Sequence, residues 1–465
     1  MVFSVFVTAA AFAADPVVHW SPGYEDLGHR ALVSGEFDGH AGLDWAASYR
    51  DGDASGIALR LSGAGADWQL VGQQSFVGLR LRSAQMDSDP EEELLVGLPD
   101  YGGHGAVAVV DLSGRTTAPG SLEVEADYFF QASEASSSFG WDLVAADCSG
   151  DGNPELFVGA PQARGGGLVY TLSTASDGAL GMWSLKASDG GALGIALASI
   201  ESGGVPGVAV GGCGSPLSES DACSSDGEVY WLSLSQCDEL ISLEQDDVRI
   251  DGLSGFPLEL QGLQSGSSTT TPSLIWSAPG AKQVLDLESE TVLFSVSTNA
   301  DTGTFLQTYN GQLSQSWMAS SGTVWQVEGE LSANPVESAS HRNFGLSSES
   351  IGNRLASAGD LDGDGCEDVL SSSASGEHLW FLSGCEEEED TGETGQDTGE
   401  TGQDTGETGQ DTGETGDTSE GDDSAEPPCE ADFGWRCTVG AGSSSSGFLA
   451  FVCGLFCLMK RRRIE

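Results

Sequence analysis

The sequence predicts an all-β protein, a seven-bladed β-propeller over residues 15–385 followed by an acidic spacer and a short C-terminal helix. Three observations predict it. Glycine stands at 66 of 465 positions and Lys plus Arg at only 17, a balance that disfavours helices and favours short strands joined by tight turns. A word made of Gly followed by alternating apolar residues recurs seven times between Asp15 and Cys385, at intervals of roughly 40 to 60 residues that suit a four-stranded unit. Ahead of several of these words lies a loop with oxygen-bearing side chains at alternate positions.

The chain opens on MVFSVFVTAAAFAA, residues 1–14, whose apolar stretch ends in Ala11-Phe12-Ala13. This is the small-x-small pattern cut on export. A signal peptide is expected, although basic leading residues are missing; a buried first strand is the alternative. Ten cysteines fit an oxidising compartment. Cys213 with Cys223, Cys366 with Cys385, and Cys429 with Cys437 are pairs that could each close a loop. The formal net charge of −55 excludes nucleic acid and anionic lipid surfaces as partners, because a phosphate surface would repel the chain. Divalent cations are the natural counterions. Residues 386–430 hold 18 of the 72 acids and no Lys or Arg, so the body is strongly acidic without them. With 39% apolar residues, that body can bury a large core.

The seven words begin at Gly56, Gly105, Gly167, Gly227, Gly280, Gly322 and Gly376, as in GIALRLSG and GEHLWFLSG. Their alternation predicts strands with one face buried. A second word precedes them, clearest in SSFGWDLVAADCSGDGNPELFVGAPQARGGGLVY, residues 137–170, where Phe139-Gly140 and Gly159-Ala160-Pro161 bracket an acidic loop. It softens to Leu27-Gly28, Val77-Gly78, Leu193-Gly194 and Ile351-Gly352, and the Gly-Ala-Pro element to Gly97-Leu98-Pro99 and Ser277-Ala278-Pro279. The fifth and sixth repeats are assigned from their second half only. This pattern resembles the FG-GAP repeat of integrin α subunits and of bacterial proteins that share their propeller, from about Leu27 to Gly384. The resemblance implies that the acidic loops share one face of the ring and leave the opposite face for ligands.

In DLDGDGCED, residues 360–368, side chains at the first, third and fifth positions can turn toward one centre. A Gly at the sixth permits the reversal, the seventh offers a carbonyl, and a ninth-position acid closes the shell. The expected Ca²⁺ ligands are Asp360, Asp362, Asp364, the carbonyl of Cys366, and Asp368. An EF-hand needs Glu at the twelfth position, where Ser371 stands. The same register gives Asp147, Ser149, Asp151, the carbonyl of Asn153, and Glu155 in the third repeat. It gives Glu36, Asp38, His40 and Asp44 in the first, with His40 a poor ligand for a hard cation. The second offers Gln85, Asp87, Asp89 and Glu93, with Pro90 in place of the turning Gly. The fourth, ESGGVPG, is too short to bind an ion. The fifth and sixth, SGSSTTTPS and TYNGQLSQS, keep the spacing with neutral side chains, so hydrogen bonds would stand in for the ion. The seventh, first, second and third repeats are neighbours around a ring, and bound Ca²⁺ would stiffen that arc.

Residues 386–428 are a spacer built on a DTGETGQ repeat with no large apolar side chain. Such a segment cannot offset its ordering entropy by burial, and its like charges extend it. The seven-residue period is not a coiled coil, because apolar first and fourth positions are missing. Residues 429–465 then carry Cys429 and Cys437, an apolar run from Gly447 to Met459, and the basic cluster Lys460 to Arg463. The run is about 20 Å as a helix, and residues 439–446 bring it near bilayer length, with the basic cluster on the cytoplasmic side. This tail resembles the C-terminal sorting signals of myxobacteria and related bacteria, the MYXO-CTERM type, which implies processing near Cys437, lipid attachment there and surface display. A permanent single-span anchor is the alternative.

The usual catalytic constellations do not occur: there is no His pair at metalloprotease spacing, no G-x-S-x-G, no phosphate-binding glycine loop and no C-x-x-C. The eleven tryptophans fall mostly at strand positions and suit blade packing. The expectation is an exported, calcium-binding propeller at the bacterial cell surface or outer membrane, held through its tail, that binds an extracellular protein or carbohydrate. A surface hydrolase or lyase acting on glycans through the propeller face is the rival, since a glycosidase needs only two carboxylates at the right separation. A structural envelope component is the third reading.

Overall fold

A computed structural model describes residues 12–385 and 462–464 with gaps, the longest at 174–191, 214–226, 234–247 and 329–340. Among the described residues helix is confined to single turns at Leu122–Glu125, Tyr101–Gly103 and Ala163–Gly165, and the protein is nearly all β. The strands fall into seven sheets in chain order. The first contains Leu32–Gly35, Asp44–Asp51, Ala54–Arg60 and Asp67–Val71. The second contains Arg80–Ala84, Glu93–Leu98, Ala106–Val110 and Tyr128–Ala132, and the third Leu143–Ala146, Glu155–Ala160 and Leu168–Leu172. The fourth contains Ala196–Ser202, Val205–Cys213, Gly227–Ser233 and Val248–Leu253. The fifth runs from Glu259–Leu263 to Thr291–Ser297 and the sixth from Phe305–Asn310 to His341–Gly345. The seventh contains Ile351–Gly359, Asp368–Ser373 and Leu379–Leu382.

The seventh sheet takes its fourth strand from the other end of the chain. Val17–Trp20 pairs antiparallel with Leu379–Leu382, Val17 opposite Phe381. Phe12–Ala14, the end of the predicted export signal, runs parallel to His341–Gly345, and Arg462–Ile464 runs parallel to Tyr128–Ala132. No helix among the described residues is long and apolar enough to cross a membrane. The spacer at 386–428 and the apolar run at 447–459 lie outside the described residues.

The seven Gly-led words form third strands, and where both faces are described, as in the first, second and third sheets, they are buried on both faces rather than one. In Ala106–Val110 every residue is buried. Ala106, Ala108 and Val110 join the core shared with Ile57 and Leu59 of the first sheet, whereas Val107 and Val109 join the core shared with Leu156 and Val158 of the third. Among the described residues the first, second, third, fourth and seventh sheets are each packed between two others, so small residues on the second face are as buried as the large ones on the first. Further cores lie between the third and fourth sheets, the fourth and fifth, and the sixth and seventh. One more joins the seventh to the first through Leu370, Leu379, Trp45 and Leu27.

The seams explain the recurring glycines. Phe139 is fully buried in the core between the second and third sheets, edge-on to Tyr170 with ring centroids 5.2 Å apart. Gly140, at φ +92°, places its carbonyl oxygen where a Cβ on Gly97 would lie 2.3 Å away. One sheet on, a Cβ at Gly159 would lie 1.9 Å from the Gly194 oxygen, and Leu193 plugs the core. At the seam from seventh to first sheet the corresponding residue is Ser372, whose hydroxyl donates to the Gly28 carbonyl at 3.0 Å. The Phe-Gly element of one repeat therefore docks on the Gly-Ala-Pro element of the repeat before it. Gly159→Ala is expected to cost about 1–3 kcal/mol, because the clash is with backbone and both sheets must part to relieve it. Urea unfolding would measure this, and a neutral result would show that the seam has slack.

Candidate metal centre

The predicted oxygen-rich loops join the first and second strands of the first, second, third and seventh sheets. In each, the ninth-position acid opens a buried strand: Asp44, Glu93, Glu155 and Asp368 are at most 8% exposed. This acid has a task that spacing alone did not reveal. The N–H of the loop's second residue donates to it, Phe37 to Asp44 at 2.9 Å, Leu361 to Asp368 at 2.7 Å, and Met86 to Glu93. In the first and seventh sheets its second oxygen is also taken, by Ser62 N–H on Asp44 at 2.6 Å and Gly384 N–H on Asp368 at 2.7 Å. The acid thus staples the loop to the end of the third strand. The Cys366–Cys385 disulfide fastens the seventh loop at the same place. Cys213 is also disulfide-bonded, and Cys223 lies outside the described residues.

The first-position acid closes the turn. Asp147 accepts from Gly150 N–H at 2.7 Å and Gly152 N–H at 2.9 Å, and Asp360 accepts from Gly365 N–H at 3.0 Å. Gly152 and Gly365 are the sixth-position glycines, and both have φ +89°, a backbone region that glycine enters without steric cost. In the third loop Asp151 accepts from the Asn153 backbone at 2.8 Å and from its side-chain amide at 3.2 Å. Ser149, Asp362 and Asp364 lie outside the described residues.

The first loop brings Asp38 and Asp44 together but supplies its own donors. Asp38 accepts from Gly63 N–H at 2.7 Å, His40 N–H at 2.9 Å and the Ser62 hydroxyl at 3.2 Å. The His40 ring turns back onto the Asp38 carbonyl, with Nδ1 at 3.0 Å, and does not complete an oxygen cage. Glu36 is exposed, and its carboxyl is raised above the usual range by burial first and then by Asp44, Asp38 and Glu92.

The fourth loop is a tight hairpin in which Ser202 faces Val205, too short for a cage. The sixth differs from expectation. Asn310 faces Leu313, and the strands Phe305–Asn310 and Leu313–Ser320 absorb Thr308 and Ser316. The fifth loop lies outside the described residues.

Among the described residues only the second loop gathers three carboxylates. Asp87, Asp89 and Glu93 bring one oxygen each to within 4.8 Å of one another. Two short turns hold them: Asp89 N–H donates to Asp87 at 2.8 Å and Glu91 N–H to Asp89 at 3.1 Å. The Gln85 amide donates to the Asp89 carbonyl, so Gln85 shapes the loop through its nitrogen. Glu93 is 3% exposed, and its Oε1 is buried without a hydrogen-bond partner. Burial, then Asp87 and Asp89, push its carboxyl up to about 7. The Asp89 carboxyl is raised by desolvation and by Asp87. A buried anion with an orphaned oxygen costs free energy, and a hard divalent cation among three carboxylate oxygens removes that cost. The donor set therefore fits such an ion.

The FG-GAP repeat family matches residues 139–172, from the Phe139 plug to the last residue of the third sheet's third strand. A comparison with curated proteins finds no match. Over that segment the chain is similar to FG-GAP repeats, and its small antiparallel sheets are consistent with an all-β fold of that type.

Proposed function

We propose that the chain is a calcium-stabilised seven-bladed propeller that recognises a protein or carbohydrate ligand at the outer surface of a bacterial cell, anchored through its C-terminal tail. The seventh-to-first core and the Val17–Trp20 closing strand support a closed ring. The observation that carries the metal reading is the convergence of Asp87, Asp89 and Glu93, with one Glu93 oxygen buried and without a hydrogen bond. FG-GAP-type repeats point to a recognition or adhesion module, and the strong negative charge directs the protein away from nucleic acid.

The test is a glycan and protein array probed with the full chain, with and without a calcium chelator. Retained, calcium-dependent binding without turnover is expected. Release of a cleaved glycan would replace the reading with a hydrolase or lyase. Binding to nothing, with a normal thermal transition, would favour a structural envelope component.

A further inference from the structure

The first strands of four of the sheets reverse the charge balance of the chain. Residues 30–35, Arg80–Ala84, 141–146 and Ile351–Gly359 come from the first, second, third and seventh sheets. They hold four arginines and one acid, in a chain with 72 acids and 17 bases. Arg30, Arg80 and Arg354 share one register, each two residues after the glycine of its repeat's Phe-Gly element, and Asp142 has the same place after Gly140. First strands of these neighbouring sheets touch. Arg354 Nε donates to the Arg30 carbonyl at 3.1 Å across the seam between the seventh and first sheets. Arg80 Nε and Arg82 Nη2 lie 3.3 and 3.4 Å from the same Asp142 oxygen, while Leu197 N–H occupies the other at 2.8 Å. Asp142 thus faces two guanidinium groups. The exposed Arg30 guanidinium has no ion-pair partner among the described residues.

We propose that the exposed Arg30, with Arg354 beside it across the seam, forms an oxyanion-binding site that takes a carboxylate or sulfate group carried on a compact ligand. The proposal deepens the surface-recognition reading and rests on it. The pair lies at the start of first strands whose far ends carry the acidic loops, about 15 Å away at the rise of an extended strand. Cation and anion sites are thereby kept apart. Guanidinium forks match planar oxyanions in a way that ammonium groups do not. Surrounding negative charge repels a long polyanion, which leaves a small acidic group as the fitting occupant.

The test is calorimetric titration of the full calcium-loaded chain with digalacturonate and, separately, with sodium sulfate in chloride buffer. One-to-one binding of at least one probe is expected, and the stronger probe tells carboxylate from sulfate. Arg30→Ala should weaken it about tenfold, and Arg30→Lys less, through loss of the fork. Arg60→Ala should leave it unchanged, because Arg60 is paired with Asp67 on other strands. No binding of either probe, or equal binding by the wild type and Arg30→Ala, would overturn the site. A neutral array ligand indifferent to Arg30→Ala would remove the site while leaving surface recognition standing.

Discussion

Asp142→Ala is expected to lower the unfolding free energy by about 3–5 kcal/mol, the cost of removing one partner from a buried charge pair. Asp142 is fully buried. It accepts Leu197 N–H from the fourth sheet and faces Arg80 and Arg82 of the second. A single side chain of the third sheet therefore joins three consecutive sheets at their first strands. Its loss strands the Leu197 N–H, itself worth about 1–3 kcal/mol when buried and unpaired, and removes a counter-charge from guanidinium groups that are only 12% and 27% exposed. Asp142→Asn keeps an acceptor for Leu197 and should lose less. Urea unfolding at fixed calcium measures both. A loss below about 1 kcal/mol in the alanine variant would mean that the three sheets are held by their apolar cores alone.

How much of this was legible in the sequence follows from the range of each interaction. The all-β character and the recurring glycines were legible because strand alternation and turn chemistry are local. The turning glycines Gly152 and Gly365 stand where the loop register put them, and both have φ +89°. The two-sided burial of the third strands was not legible, since Ala106 and Ala108 look like fillers until a neighbouring sheet covers them. The closing strand Val17–Trp20 alternates too weakly to announce itself, and its partner Phe381 lies at the far end of the domain. The stapling role of Asp44 and Asp368 was hidden for another reason. A ligand and a backbone acceptor require the same residue at the same spacing, and only the direction of each oxygen separates them.

That separation orders the four loops. In the first, His40, Ser62 and Gly63 already surround Asp38 with donors, so neutral protein groups occupy the place an ion would take. In the second, the third-strand donor that reaches Asp44 and Asp368 has no counterpart. Glutamate is one methylene longer than aspartate, and Glu93 keeps one oxygen without a hydrogen bond while its carboxylate stands with those of Asp87 and Asp89. The same repeat geometry thus yields a self-satisfied loop and an ion-seeking one through a few side chains.

The ion-seeking loop leads to a signed prediction. Without metal, the protein is expected to lose on the order of 3 kcal/mol as pH rises from about 4.5 to about 7. Glu93 is raised from 4.5 to about 7 in the fold. Between those values the folded state holds a proton that the unfolded state has released, so unfolding is favoured as pH climbs through the window. Below it both states are protonated and the effect vanishes; above it the full penalty applies. Calcium selects the ionised carboxylate, so its stabilisation should grow over the same interval. Glu93→Gln keeps an oxygen for Met86 N–H and carries no charge. In chelator at pH 7.5 it should be more stable than the wild type, with the gap closing toward pH 4.5. In millimolar calcium at pH 7.5 the order should reverse. Parallel pH profiles for the two proteins, or no reversal on adding calcium, would show that the buried Glu93 oxygen is neither a penalty nor a ligand.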